Sequence, residues 1–175
     1  RLDPDWEWEV RLRTLGGFEI TKEGVPMVFS GKLPKKALAL LKMLVGNGPG
    51  DLPEQQILDA LWPDEEGDAG DRALSVTLLR LRRLLGDNDL IRHQGGKLSL
   101  DGQRCWVDAW AFEHMLSALP GSGKATEGDS TYLEKALALY RGTFLPEDSE
   151  ESWSVASRER LRAKFVHALV AQGRN

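Results

Sequence analysis

The stretch Asp71-Arg72-Ala73-Leu74-Ser75-Val76-Thr77-Leu78-Leu79-Arg80-Leu81-Arg82-Arg83-Leu84-Leu85 limits what this chain can fold into more than any other feature. At about 100° per residue, Leu74, Leu78, Leu81 and Leu85 fall on one stripe, an ordinary core face. The opposite face gathers Arg72, Ala73, Val76, Leu79, Arg80 and Arg83. A purely solvated face would carry Glu, Lys and Gln, whereas this one mixes arginines with small or apolar residues. A DNA major groove asks for that mixture: guanidinium for phosphate or for guanine O6 and N7, and apolar surface for the thymine methyl. Thr77 lies on the flank, within reach of a base edge. Arg82 falls near the core side, where a structural ion pair is expected, because its stem packs there better than it reaches out. Taken alone, the helix is equally an amphipathic segment with solvated arginines, so its neighbours decide.

Those neighbours have a definite order. Val10 to Leu15 alternates apolar and polar, Gly16-Gly17 punctuates, Phe18 to Thr21 alternates again, Glu23-Gly24 signals a turn and Val25 to Phe29 reads as a third strand. This predicts a small antiparallel meander. Pro34 opens a helix carrying Ala37, Leu38, Leu41, Leu44 and Val45, which stops at Gly46 to Gly50. Asp51 with Glu54 resembles a capping box for a second helix bearing Ile57, Leu58, Leu61 and Trp62, ended by Pro63. The third helix is expected over about Gly70 to Gly86. Leu90 to Arg92, then Gln94-Gly95-Gly96, then Lys97 to Leu100 spell a hairpin with a glycine turn. Helix, helix, basic helix and hairpin is the winged-helix variant of helix-turn-helix, whose third helix enters the major groove and whose wing touches the backbone or minor groove. In the wing, Arg92, His93, Gln94 and Lys97 suit phosphate or minor-groove contact, and each is equally explained as exposed. Lys35 and Lys36, at the start of the first helix, add phosphate contacts through charge and the helix N-terminus.

From Trp106 the pattern becomes helical: Trp110 to Leu119, Tyr132 to Tyr140 and Ser157 to Gln172, the last with Leu161, Phe165, Ala168 and Leu169 on one face. Pro120 to Asp129 reads as a Gly/Ser-rich linker and Gly142 to Ser152 as a loop. Three helices without a sheet resemble part of a helical-hairpin array, which needs stacked neighbours. The expected fold class is α+β, with a winged-helix domain at 1–104 and a helical, tetratricopeptide-like segment at 105–175. The first residue is Arg1, not Met, so an excised fragment is expected.

The formal charge of the 175 residues is −4, which argues against a nucleic-acid partner until it is partitioned. Residues 1–50 carry +2, 51–70 carry −7, 71–104 carry +3 and 105–175 carry −2. The negative charge is concentrated in one block, directly before a basic segment. Cys105 is the only cysteine, so no intramolecular disulfide is expected; apolar runs are too short for a membrane span, and no signal peptide is expected. A reducing cytoplasm is expected.

Catalytic and cofactor chemistry find no support. Gly121-Ser122-Gly123-Lys124 lacks the flanking Gly and Ser/Thr of a phosphate loop, since Ala118 and Ala125 stand there. His93, His114, His167 and Cys105 lack metal-ligand spacing, and the acidic pairs Glu65-Glu66 and Glu150-Glu151 sit in polar loops. No enzyme, metal or cofactor is expected.

The meander, Leu61-Trp62-Pro63, the Leu78-x-x-Leu81-Arg82-x-x-Leu85 run and the Gly95-Gly96 wing resemble an OmpR/PhoB-type winged helix. Trp106-Val107-Asp108-x-x-x-Phe112-Glu113 and Ala136-Leu137-x-Leu139-Tyr140-Arg141-Gly142-x-Phe144-Leu145 resemble the start of a bacterial transcriptional activator domain. Together they are similar to the SARP/AfsR-like regulators, over nearly the whole chain. The resemblance implies a transcriptional activator that binds double-stranded DNA at direct-repeat promoter sites, with a tetratricopeptide-like second domain for signal input or homodimerisation. It implies DNA-contacting positions at Arg72, Thr77, Arg80 and Arg83, beside Val76 and Leu79, and a phosphate-proximal or core position at Trp62. In this fold class the loop before the third helix meets RNA polymerase holoenzyme, which here places Asp64, Glu65, Glu66 and Asp68 toward polymerase. A solvated loop with Asp68 or Asp71 capping the third helix is the compatible, plainer reading. The chain departs from the family at Ser75, Thr77, Leu79 and Lys97, which bears on base preference more than on binding. A different class of function also fits: a protein-interaction module whose winged helix no longer binds DNA and whose Val76/Leu79 surface meets a protein.

Overall fold

The computed structural model describes residues 6–119 and 127–173. Its elements run β1 (Val10–Arg13), β2 (Glu19–Lys22), β3 (Val25–Pro26), α1 (Lys35–Asn47), β4 (Leu52–Pro53), α2 (Glu54–Leu61), α3 (Asp68–Leu85), β5 (Ile91–Gln94), β6 (Lys97–Leu100), β7 (Cys105–Val107), α4 (Asp108–Ser117), α5 (Glu127–Leu139) and α6 (Ser152–Gln172). The fold is α+β. One sheet has the order β3-β2-β1-β7 and the other β4-β6-β5. The described residues divide into two compact units.

One unit holds Thr21–Cys105 with Trp8–Val10. Its core is the apolar stripe of each helix: Leu38, Leu41, Leu44 and Val45 of α1, Ile57 and Leu61 of α2, and Leu74, Leu78, Leu81 and Leu85 of α3 are buried. The 3.6-residue period therefore located all three helices. α3 packs on α1 and α2. Gly86 ends it in the left-handed conformation at φ 74°, its N–H returning to the Arg82 and Arg83 carbonyls. The hairpin β5–β6 turns through Gly95 and Gly96 at φ 60° and 70°, the paired positive values of a type I′ turn.

Three expectations for this unit are corrected. Asp51 does not cap α2: Leu52 and Pro53 instead pair with Leu98 and Lys97 of β6, and the helix begins after Pro53 without a side-chain cap. The Glu54 N–H donates to the Gly96 carbonyl at 3.0 Å. Neither Asp68 nor Asp71 caps α3, because Gly67 takes the capping position. Both carboxylates stand in the first turn, where they face the positive end of the helix dipole. The third strand of the meander stops at Pro26, which has no N–H for a ladder, and Val28 is exposed.

The other unit holds Arg11–Ile20 with residues 6 and 7 and the described part of 106–175. Its three helices pack on one another. Tyr140 joins them by aromatic contact, 5.5 Å from Phe112 and stacked on Phe165 with ring centroids 4.1 Å apart. α6 begins at Ser152, earlier than its apolar period suggested. Leu161 and Ala168 are buried as expected, whereas Leu169 is exposed, as are Val166 and Val170. Glu127 to Asp129, read as linker, form the first turn of α5, and 120–126 lie outside the described residues.

Segment 14–16 runs antiparallel to 143–145: Leu145 N–H donates to the Thr14 carbonyl at 2.8 Å and Gly16 N–H to the Thr143 carbonyl at 2.9 Å. The backbones approach so closely that a Cβ on Gly142 would stand 2.9 Å from the Gly16 Cα. Asp108, buried at the start of α4, accepts hydrogen bonds from the Thr14 N–H and hydroxyl, the Leu15 N–H and the Ala109 N–H. Burial pushes its carboxyl above the ordinary value, and those donors pull the other way. Arg158 gathers the 144–149 loop by donating to the carbonyls of Phe144, Leu145, Asp148 and Ser149. Periodicity cannot show β7, because Cys105, Trp106 and Val107 are all buried and do not alternate.

Among the described residues no helix is long and apolar enough to cross a membrane, and no group of three or more His, Cys, Asp or Glu is placed to hold a metal ion.

Candidate nucleic-acid interface

The outward face of α3 follows from the burial of its leucine stripe. With Leu74, Leu78, Leu81 and Leu85 turned inward, Arg72, Val76, Leu79, Arg80 and Arg83 are exposed, and Ala73 is half-buried at the margin. Val76 is 48% and Leu79 47% exposed, so branched aliphatic surface lies bare between guanidinium groups. The Arg72 Nε donates to the Asp68 carbonyl at 3.1 Å, one turn back.

Thr77 is not on this surface. It is 5% exposed, and its expected role at a base edge is corrected. It lies three positions from Leu74 and four from Leu81, at the edge of the buried stripe and not on the outward face. Ser75 is exposed, but its hydroxyl donates to the Asp71 carbonyl at 2.9 Å. Arg82 is structural: its Nη2 donates to the Ile91 carbonyl at 2.7 Å and ties α3 to the first wing strand. The partner is a backbone carbonyl instead of the expected carboxylate.

The wing is anchored by its own polar side chains. His93 Nε2 pairs with Glu54 Oε1 at the start of α2, so two residues expected in separate roles meet. Arg92 Nη2 reaches Asp101 Oδ2 at 3.0 Å across the hairpin while staying 63% exposed. In high dielectric such a pair is weak and exchangeable. Gln94 and Lys97 are exposed beside the glycine turn. Behind the wing, Arg104 donates to both Glu9 oxygens and to Asp87, and the Asp87 carboxyl is held below its ordinary value by that Arg104 bond and by the Asp89 N–H.

Lys35 and Lys36 are exposed at the start of α1. The Lys36 ammonium donates to the Leu61 carbonyl and lies 5.5 Å from the Trp62 ring centroid, a cation–π contact that helps close α2. Trp62 is half-buried, neither a full core anchor nor a freely exposed phosphate contact. Asp64, Glu65 and Glu66 are exposed in the turn between α2 and α3, and Asp68 is exposed at the first position of α3. Sequence reasoning missed Glu54 as the anchor of the wing. No local signal marks it, because its partner is 39 positions away.

Comparison with known proteins gives two adjacent family matches. Residues 30–96 match the transcriptional regulatory protein, C terminal, family, and residues 107–174 match the bacterial transcriptional activator domain family. Both are families of regulators. No curated protein matches the chain. A solved structure, Mycobacterium tuberculosis EmbR in complex with low affinity phosphopeptide, is similar with a TM-score of 0.73 and 25% identity, covering 95% of this chain and 45% of that one. The chain thus spans less than half the length of that protein. An OmpR/PhoB-type winged helix followed by a bacterial transcriptional activator domain, in a fold similar to that of EmbR, gives this chain the domain order of a SARP-like transcriptional regulator.

Proposed function

We propose that the chain is a sequence-specific DNA-binding transcription activator of the cytoplasm, with α3 in the major groove of double-stranded DNA and the wing on the sugar-phosphate backbone. The observation that carries this reading is the exposed face of α3, where Arg72, Arg80 and Arg83 surround bare Val76 and Leu79. Guanidinium groups serve phosphate and guanine, and the aliphatic surface serves base edges. Lys35, Lys97 and the exchangeable Arg92 extend the cationic footprint toward phosphate on either side. His93 and Lys36 contribute second-hand, by holding the wing and α2 in place.

The direct-repeat promoter sites of such regulators supply the DNA. The acidic residues Asp64, Glu65, Glu66 and Asp68 are repelled by the duplex and suit a basic surface of RNA polymerase holoenzyme. The helical unit serves signal input or homodimerisation. The domain boundary that fits these roles lies between 104 and 105.

Selection from a random duplex library, followed by mobility shifts across a salt series, tests the reading. Enrichment of a defined sequence is expected, with log K falling linearly as log salt rises. Absence of any salt-dependent binding would overturn it in favour of a protein-interaction module.

A further inference from the structure

We propose that α3 reads thymine through its 5-methyl group, with Val76 and Leu79 as the residues that contact the methyl. The inference rests on the reading of α3 as the major-groove helix. It starts from what the exposed face can and cannot hydrogen-bond. Its polar side chains are Arg72, Arg80 and Arg83, which are donors only. The Ser75 hydroxyl is turned to the Asp71 carbonyl and the Thr77 hydroxyl is buried with its residue. α3 contains no Asn or Gln, so the bidentate amide contact that identifies adenine is absent. Its acceptor side chains, Asp68 and Asp71, are confined to the first turn, two turns or more before Leu79, so no carboxylate meets a cytosine amino group there.

Guanidinium donors fit the guanine acceptors. What remains to distinguish one A·T orientation from another is the methyl group, and the face supplies the apolar surface for it. Val76 and Leu79 are three positions apart, hence neighbours about 5–6 Å apart on the helix surface. Their separation along the axis, about 4.5 Å, is comparable with the rise of about 3.4 Å per base pair. The two side chains therefore cover successive base-pair steps, with Arg80 and Arg83 beside them for guanine or phosphate. The DNA class that fits is one carrying thymine next to guanine in the major groove beneath α3.

Deoxyuridine removes the methyl and nothing else. In duplexes selected by the chain, each dT is replaced singly by deoxyuridine and the affinity measured for the unmodified chain, Leu79→Ser and Val76→Ala. Both variants alter exposed positions, and far-UV circular dichroism checks that they fold. Loss of one buried methyl contact corresponds to about fourfold in affinity, and such a loss is expected at one or two positions of each half-site. Leu79→Ser is expected to close the gap between dT and deoxyuridine at one position and Val76→Ala at its neighbour. Salt-dependent binding with no deoxyuridine-sensitive position would overturn the inference and leave DNA binding standing. Sensitivity that survives undiminished in both variants would overturn the assignment to these residues. Failure to bind any duplex would overturn the reading beneath it and the inference together.

Discussion

Thr14 and Asp108, 94 positions apart, are joined twice: the Asp108 carboxylate accepts the Thr14 backbone N–H at 2.8 Å and the Thr14 hydroxyl at 2.7 Å. Both residues are buried, and the same carboxylate also serves Leu15 and Ala109. The extended segment 11–20 is thereby held to the start of α4 by one side chain. Asp108→Asn turns an amide donor toward backbone donors that have no other partner in a dry site. A loss of about 3 kcal/mol is expected, the cost of more than one orphaned buried group. Urea unfolding should show a lowered midpoint with an unchanged slope. An unchanged midpoint would show that the carboxylate holds nothing.

Asp87 offers a pH-dependent contribution whose sign is determined. Arg104 and the N–H groups of Asp89 and Leu90 hold its carboxyl below the ordinary value of 3.8. A depressed acid binds its proton more weakly in the folded state than in the unfolded one. Its stabilisation is therefore present above the ordinary value and is lost as pH falls through and below it. The thermal midpoint should fall on acidification below about pH 4, and Asp87→Asn should flatten part of that fall while leaving the neutral-pH curve shape intact. An identical acid limb in the variant would refute the assignment.

How far the residues alone reveal this molecule depends on the range of the interaction. The α3 face could be read because Leu74, Leu78, Leu81 and Leu85 obey a local period, and the wing because Gly95 and Gly96 supply a turn that only glycine makes cheaply. β4 could not, because two residues carry no period and one of them is Pro53. Thr77 was misplaced because a residue on the flank is buried or bare according to what packs beside it, and the helix wheel does not contain that neighbour. The same limit hid the pairing of His93 with Glu54, which takes a candidate DNA contact into the framework of the wing. Local pattern located the helices, the hairpin and the central face, while tertiary packing decided which polar residues at its edges stay available.

Cys105 is fully buried in β7, and burial pushes its thiol well above the ordinary value. The thiolate is the reactive form, so the native protein should resist maleimide or a disulfide exchange reagent at neutral pH. Labelling is expected only as fast as the unit opens, and quantitatively in denaturant. Stoichiometric labelling within seconds under native conditions would contradict the packing of β7.

Arg80 and Arg82, two positions apart on α3, separate binding from stability. Arg80 is exposed on the outward face, whereas Arg82 is half-buried and spends its Nη2 on the Ile91 carbonyl. Arg80→Ala should leave the unfolding curve unchanged, since an exposed helical position accepts Ala readily. It should lower affinity for the selected duplex by roughly 1–3 kcal/mol and relax the preference at one base position. Arg82→Ala should do the reverse in first order, costing about 1 kcal/mol of stability through the lost hydrogen bond to the wing, with its loss of affinity spread evenly over duplexes of any sequence. Equal losses for Arg80→Ala on selected and scrambled duplexes, with a salt slope reduced by about one, would move Arg80 from base readout to phosphate contact. Affinity unchanged in both variants would remove α3 from the interface altogether.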